Sequence, residues 1–234
     1  MNYIKTLTFR LDIKRTIIIV IAIFGLLGFA LYVYGAGTSS FSQTINPGTL
    51  ATDIRSNATT TVSSPAVAMS AKTFSFSCQS GGSASTGTFG TASERIYVDN
   101  PDGADNGWTL TLAPSASTAV WTNGGNTFDF NDSGGSGCTD GADADSVGGQ
   151  MTVNPATGSI TTDYSGSSTT GISLGSSASY VQGTTDSVTL VTAANTSADV
   201  WRGYFTGFSL SQTIPAEQAA TAYTLSFVLT ATAS

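Results

Sequence analysis

Histidine is absent from these 234 residues and charge of either sign is scarce, with eight Lys and Arg against fifteen Asp and Glu. Without an imidazole, Ser-His-Asp and Cys-His nucleophilic chemistry are closed, and two cysteines alone cannot hold a metal. A carboxylate pair suffices for glycoside hydrolysis. Beyond residue 35, however, only Glu94 and Glu217 accompany twelve Asp, which gather in turns. The chain is therefore expected not to be an enzyme. The same stretch has four basic residues (Arg55, Lys72, Arg95, Arg202) against fourteen acidic ones, leaving a net charge of −10. Such a surface repels phosphate backbones, so nucleic acid is excluded as a partner. Long helical periodicity is also missing after residue 40.

What the chain does have begins at the N-terminus. Lys5, Arg10, Lys14 and Arg15, opposed only by Asp12, precede Ile17–Tyr34, in which every residue is apolar, Gly or Tyr, and no charge returns until Asp53. A basic flank before an apolar run is what export machinery reads. Residues 1–36 are expected to be a signal peptide, with Gly35-Ala36-Gly37 offering small residues for cleavage, or else an N-terminal membrane anchor. Contact with a membrane is expected only through this segment. A type IV pilin leader would carry a Glu early in the helix, and this run has no acidic residue. The remainder, 37–234, is expected outside the cell.

Short alternating runs punctuated by Gly, Asn, Asp and Pro fill that remainder, the pattern of an all-β, antiparallel β-sandwich or jelly-roll-like domain. Expected strands are 42–45, 73–78, 95–98, 108–112, 119–122, 127–130, 150–153, 171–174, 180–182, 187–192, 204–212 and 222–231. Residues 80–87 and 161–170 read as Ser/Gly/Thr loops, and 216–221 as a brief helix opened by Pro215. Cys78 and Cys138, an even count in an exported chain, are expected to form a disulfide.

One stretch stands out. A turn rich in Asp, Asn and Gly (Asp99–Gly107) delivers Trp108-Thr109-Leu110-Thr111-Leu112, in which Trp108, Leu110 and Leu112 share a face. Near the C-terminus, Tyr223-Thr224-Leu225-Ser226-Phe227-Val228-Leu229 repeats the design, with Phe227 and Leu229 in the W-x-L place. Together the two segments resemble the paired motifs of WxL-domain proteins, with Phe for Trp in the second. The resemblance covers roughly residues 41 to 234. It implies a surface protein attached noncovalently to the bacterial cell wall, with peptidoglycan or an associated polysaccharide as partner. Ala231–Ser234 carry no Leu-Pro-x-Thr-Gly signal, so sortase attachment is not expected.

Two further features point to ligands. Asp129, Asn131 and Ser133 place side-chain oxygens at the first, third and fifth positions of a loop that has Gly134 at the sixth and Asp140 at the twelfth, the spacing of a Ca²⁺ loop. Asp143 and Asp145 follow and are in reach to complete a site, while a solvated Asp/Gly turn is the competing reading. Among the tryptophans, Trp108 is expected in the core. Trp121 and Trp201, nearer turns, are candidate platforms for a sugar ring. Lys72, the one lysine beyond the leader, reads either as an edge-guarding charge or as a partner in an isopeptide link. The function expected from the sequence is noncatalytic wall binding. The alternative is a self-associating subunit of a surface layer or fibre, with Ca²⁺ between acidic copies.

Overall fold

The computed structural model describes residues 12–31, 40–103, 106–141, 147–195 and 200–234. The chain divides into two units, Met1–Ile45 and Asn46–Ser234. In the first, helix α1 spans Ile13–Leu31. Asp12 caps it: its carbonyl takes the first helical bond, from Thr16 N–H, and its carboxylate accepts from Lys14 N–H at 3.3 Å. Ile13, Ile18, Ile21 and Phe24 are all exposed, so the helix is apolar around its circumference and not along one stripe. Among the described residues no helix is long and apolar enough to cross a membrane.

The second unit is built from antiparallel strands packed as a sandwich, as expected. One sheet runs in the order β2 (Thr60–Thr61), β1 (Ala51–Asn57), β4 (Arg95–Asn100), β13 (Trp201–Thr206) and β9 (Ser159–Thr162). A second is ordered β11 (Ala178–Ser179), β8 (Gln150–Asn154), β14 (Phe208–Thr213) and β3 (Ser85–Phe89). The third is β10 (Ile172–Leu174), β12 (Val188–Ala193), β5 (Trp108–Pro114) and β15 (Phe227–Ala233), and β6 (Trp121–Asn123) with β7 (Asn126–Phe128) forms a separate hairpin.

The first two sheets share a corner. β4 pairs with β13 and β3 with β14, so β3–β4 and β13–β14 behave as two long bent strands. The bend passes through Gly207, whose N–H donates to the Gly90 carbonyl at 2.8 Å. Both glycines take positive φ, +85° and +79°, a conformation that other residues adopt only with strain. The single strand expected over 204–212 is therefore two strands on different sheets, because the glycine in its middle turns the chain.

Burial along β5 alternates strictly: Trp108, Leu110, Leu112 and Pro114 are buried, and Thr109, Thr111 and Ala113 are not. Trp108 meets Trp201 of β13 at 5.4 Å between rings and Phe205 at 6.3 Å, which joins the sheets through the core. Truncating such a side chain to Ala costs about 3–5 kcal/mol. β15 pairs with β5 in the register Phe227↔Pro114, Leu229↔Leu112 and Ala231↔Leu110. The two W-x-L-like segments are thus hydrogen-bonded neighbours whose inward residues lie side by side. On the other face, Thr109 sits between Thr192 and Thr232, and Thr111 between Thr189 and Thr230, a patch of hydroxyls without a charge.

Several expectations are corrected. Residues 42–45 and 73–78 form no strand, and 216–221 form a turn, in which Glu217 takes φ of 60° and donates its N–H to the Ser75 carbonyl. The expected loop 80–87 contains the start of β3, and 161–170 begins inside β9. β1 was not anticipated. Its residues are only partly buried, and it is fixed by Arg55, which reaches Asp99 at 2.7 Å and Asp53 at 3.3 Å beside the Tyr97 ring. Burial alone would lower the Arg55 pKa, but hydrogen bonds and charge from Asp99 and Asp53 outweigh it and raise it.

Tyr180 is wholly buried and donates its hydroxyl to the Leu112 carbonyl at 2.8 Å. Burial pushes its pKa well above the usual tyrosine value. The neutral phenol contributes stability that is complete below the unfolded-state pKa of about 10 and is lost as pH rises beyond it. Urea midpoints measured from pH 9 to 12 are expected to fall more steeply for the parent than for Tyr180→Phe. Near neutrality the variant is expected to lose about 1 kcal/mol with its hydrogen bond.

Candidate functional site

Next to the hairpin β6–β7 lies an open groove of about 580 Å³. Its walls are the irregular segments 67–75 and 214–223, and Trp121 and Phe128 contribute from the hairpin. The sequence explains this geometry. Trp121 and Phe128 face one another across the two-stranded ladder, so their rings stack at 5.7 Å and 11°. Thr122 exchanges both backbone hydrogen bonds with Thr224, which carries Tyr223 to the hairpin, where its ring meets Phe128 edge-on at 4.9 Å. Phe74, 44% exposed, stands in the opposite wall against Phe76.

Polar groups interleave with these rings. Gln218 donates to the Thr127 carbonyl at 2.7 Å and to Tyr223 Oη at 3.3 Å, and the Tyr223 hydroxyl donates to the Ala219 carbonyl. Gln79 donates to the Thr73 carbonyl at 2.7 Å. Ser70, Ser75, Ser85 and the exposed Lys72 add further polar groups, apolar residues such as Met69 and Ile214 fill the rest, and the lining includes no carboxylate among the described residues. Aromatic faces beside hydroxyl and amide groups can take a ring whose faces are C–H and whose edge is hydroxyl. Exposure of Lys72 sets aside the isopeptide reading, which needs a buried amine.

Two devices hold the groove in shape. The buried Gln212 amide accepts from Trp121 Nε1–H at 2.9 Å and donates to the Asp129 and Thr213 carbonyls at 3.0 and 2.8 Å. One side chain therefore fixes the indole and the start of the acidic loop together. The disulfide Cys78–Cys138, as expected, ties the residue beside Gln79 to that same loop across 60 residues of sequence.

The loop itself is folded inward. Asp129, Asn131 and Asp132 are buried, whereas Ser133 and Asp140 are exposed. Asp129 Oδ1 accepts from Phe130 N–H at 2.6 Å, and Asn131 Nδ2 donates to the Ser117 carbonyl at 3.1 Å. Backbone bonds from Asp129 N–H to Gly148 and from Asp132 N–H to Gly149 close it. Gly149, at φ +147°, lies so near the Asp129 carbonyl oxygen that a Cβ would run into it. The start of the loop is thus not the solvated turn: Asp129, Asn131 and Asp132 are held inside the fold. Among the described residues no three His, Cys, Asp or Glu side chains come together as a metal site. Asp143 and Asp145 lie outside the described residues.

The tryptophans separate cleanly. Trp108 and Trp201 are core, at 2% and 1% exposure, and Trp201 donates its Nε1–H to the Ser168 carbonyl. Trp201 thus has no ring face open to a ligand, which corrects its candidacy as a platform. Trp121 is half-buried on the groove. Phe227 and Leu229 are half-buried and line a second, more apolar slot of about 420 Å³. Sequence reading missed Phe74, Phe128, Tyr223, Gln212 and Gln218, and the available signal was an aromatic at each end of the Asn123–Asn126 turn. No protein-family model, characterised protein or solved structure matches the chain.

Reducing the disulfide, or replacing both cysteines by Ser, is expected to cost about 4 kcal/mol in the chain-entropy picture, measured by urea denaturation. Gln212→Leu strands three buried groups and is expected to cost about 2–4 kcal/mol. It should also red-shift Trp121 fluorescence, assigned by comparison with Trp121→Phe.

Proposed function

We propose that this chain is an exported, noncatalytic surface protein that holds a neutral polysaccharide of the bacterial cell wall, peptidoglycan or an associated glycan, in the groove of Trp121, Tyr223 and Phe74, with Phe128 buried behind Trp121 and Tyr223. The observation that carries the reading is the groove's composition: aromatic rings with glutamine and serine groups between them, and no lining carboxylate among the described residues. Sugar C–H faces lie on the rings while amides and hydroxyls address the edges. Such contacts are individually weak, and retention grows by avidity when many copies face one polymer. The disulfide supports export, because such bonds persist in oxidising compartments, and the basic, then uncharged apolar leader supports it further.

Purified chain is expected to sediment with isolated peptidoglycan or wall polysaccharide and to remain in the supernatant without it. Phe74→Ala and Trp121→Ala are each expected to weaken binding about tenfold or more. Thr232→Ala, on the sheet face bearing the threonines, is expected to leave it unchanged. Binding that ignores both groove substitutions, or no binding to any wall fraction, overturns the reading.

A further inference from the structure

We propose that the edge of β15 and its apolar slot receive residues 40–45 of a second copy of this chain as an added β-strand. This inference is independent of the polysaccharide reading. β15 ends its sheet: among the described residues it pairs with β5 on one side and with no strand on the other. β1 approaches β15 but does not pair with it, so the backbone groups of that edge have no ladder partner among the described residues. Its inward residues Phe227 and Leu229, with Leu225 before them, are only half-buried. They look into the slot of about 420 Å³ that Ile54, Met69 and Leu210 also line. The sandwich is therefore open where an additional strand would close it.

The chain also holds a strand without a sheet. Ser40-Phe41-Ser42-Gln43-Thr44-Ile45 alternates in the manner of a half-buried strand, yet it joins no sheet and every residue is exposed. Phe41 is 95% and Ile45 87% exposed, the two most exposed large apolar side chains among the described residues. In an extended chain Phe41, Gln43 and Ile45 point one way, so both apolar side chains would enter the slot while Ser42 and Thr44 face water. Six residues reach about 20 Å at ~3.3 Å each, close to the seven-residue β15. The segment has no charge of its own, so it brings no ion to a slot whose one charged lining residue among those described is Glu94, held by the Ala66 N–H. Backbone pairing supplies the affinity and the two side chains the register, as in strand addition generally. Because each copy offers one donor and one acceptor, the contact is head-to-tail and propagates unless it closes into a ring.

The test uses the full chain in mild detergent. Chains carrying Ser42→Cys or Thr44→Cys are mixed with chains carrying Val228→Cys, and linked species are read on a non-reducing gel after mild oxidation. An interchain product from at least one donor position is expected. It should disappear when Phe41→Asp and Ile45→Asp are added to the donor, which lies outside the β unit and leaves its thermal unfolding unchanged. Sedimentation velocity should show parent assemblies, with self-association at least about 100-fold weaker in the doubly substituted chain. No linkage from either donor position, linkage only within a chain that carries both cysteines, or assemblies that survive the two aspartates each overturns the proposal.

Discussion

Two indoles, from Trp108 and Trp201, meet inside the sandwich at 5.4 Å, and the sheets close around that contact. A chain this rich in Gly, Ser and Thr has few large apolar groups to spend on a core. It concentrates them: Phe205 stacks on Trp201 at 5.6 Å, and Phe208 follows across the Gly207 corner at 6.3 Å from Phe205. The aromatic column therefore bridges both halves of the bent sheet and the sheet of β5. Large rings bury much area for little lost side-chain entropy. That economy lets the outer residues remain small and hydroxylic.

Around that column the structure relies on a few polar groups with several partners each. Gln212 is the clearest, since its single amide serves Trp121, Asp129 and Thr213. Arg55 does the same on the exterior of the first sheet, where Asp53, Asp99 and the Tyr97 ring share one guanidinium. In both places a side chain of fixed planar geometry stands where backbone pairing is thin, beside irregular segments that regular secondary structure cannot hold. The groove lies at such a place, and its shape follows from the amide and the disulfide more than from the sheets.

The fold class was legible because period-two alternation is strong where one face is buried. Trp108–Leu112 and the run ending at Leu229 announced themselves by it, and the cysteine pair by its parity. Strands whose buried members are Thr, Ser or Gly were illegible. β1, β3 and β9 carry little hydrophobic contrast, and only their partners' registers define them. The inward fold of the acidic loop was illegible for a related reason. Oxygen spacing along a sequence states which groups are available, not whether they turn inward to bond their own backbone, as Asp129 does. Trp121 could be singled out by its position near a turn, but its neighbours Tyr223 and Gln218 come from about a hundred residues away. No local pattern predicts that meeting.

The threonines on the outer face of β5, β12 and β15 give this surface a property that charged surfaces lack. Their hydroxyls bind water without counterions, so hydration there does not depend on a Debye length. That uncharged pavement therefore keeps the same wetness from dilute to concentrated salt.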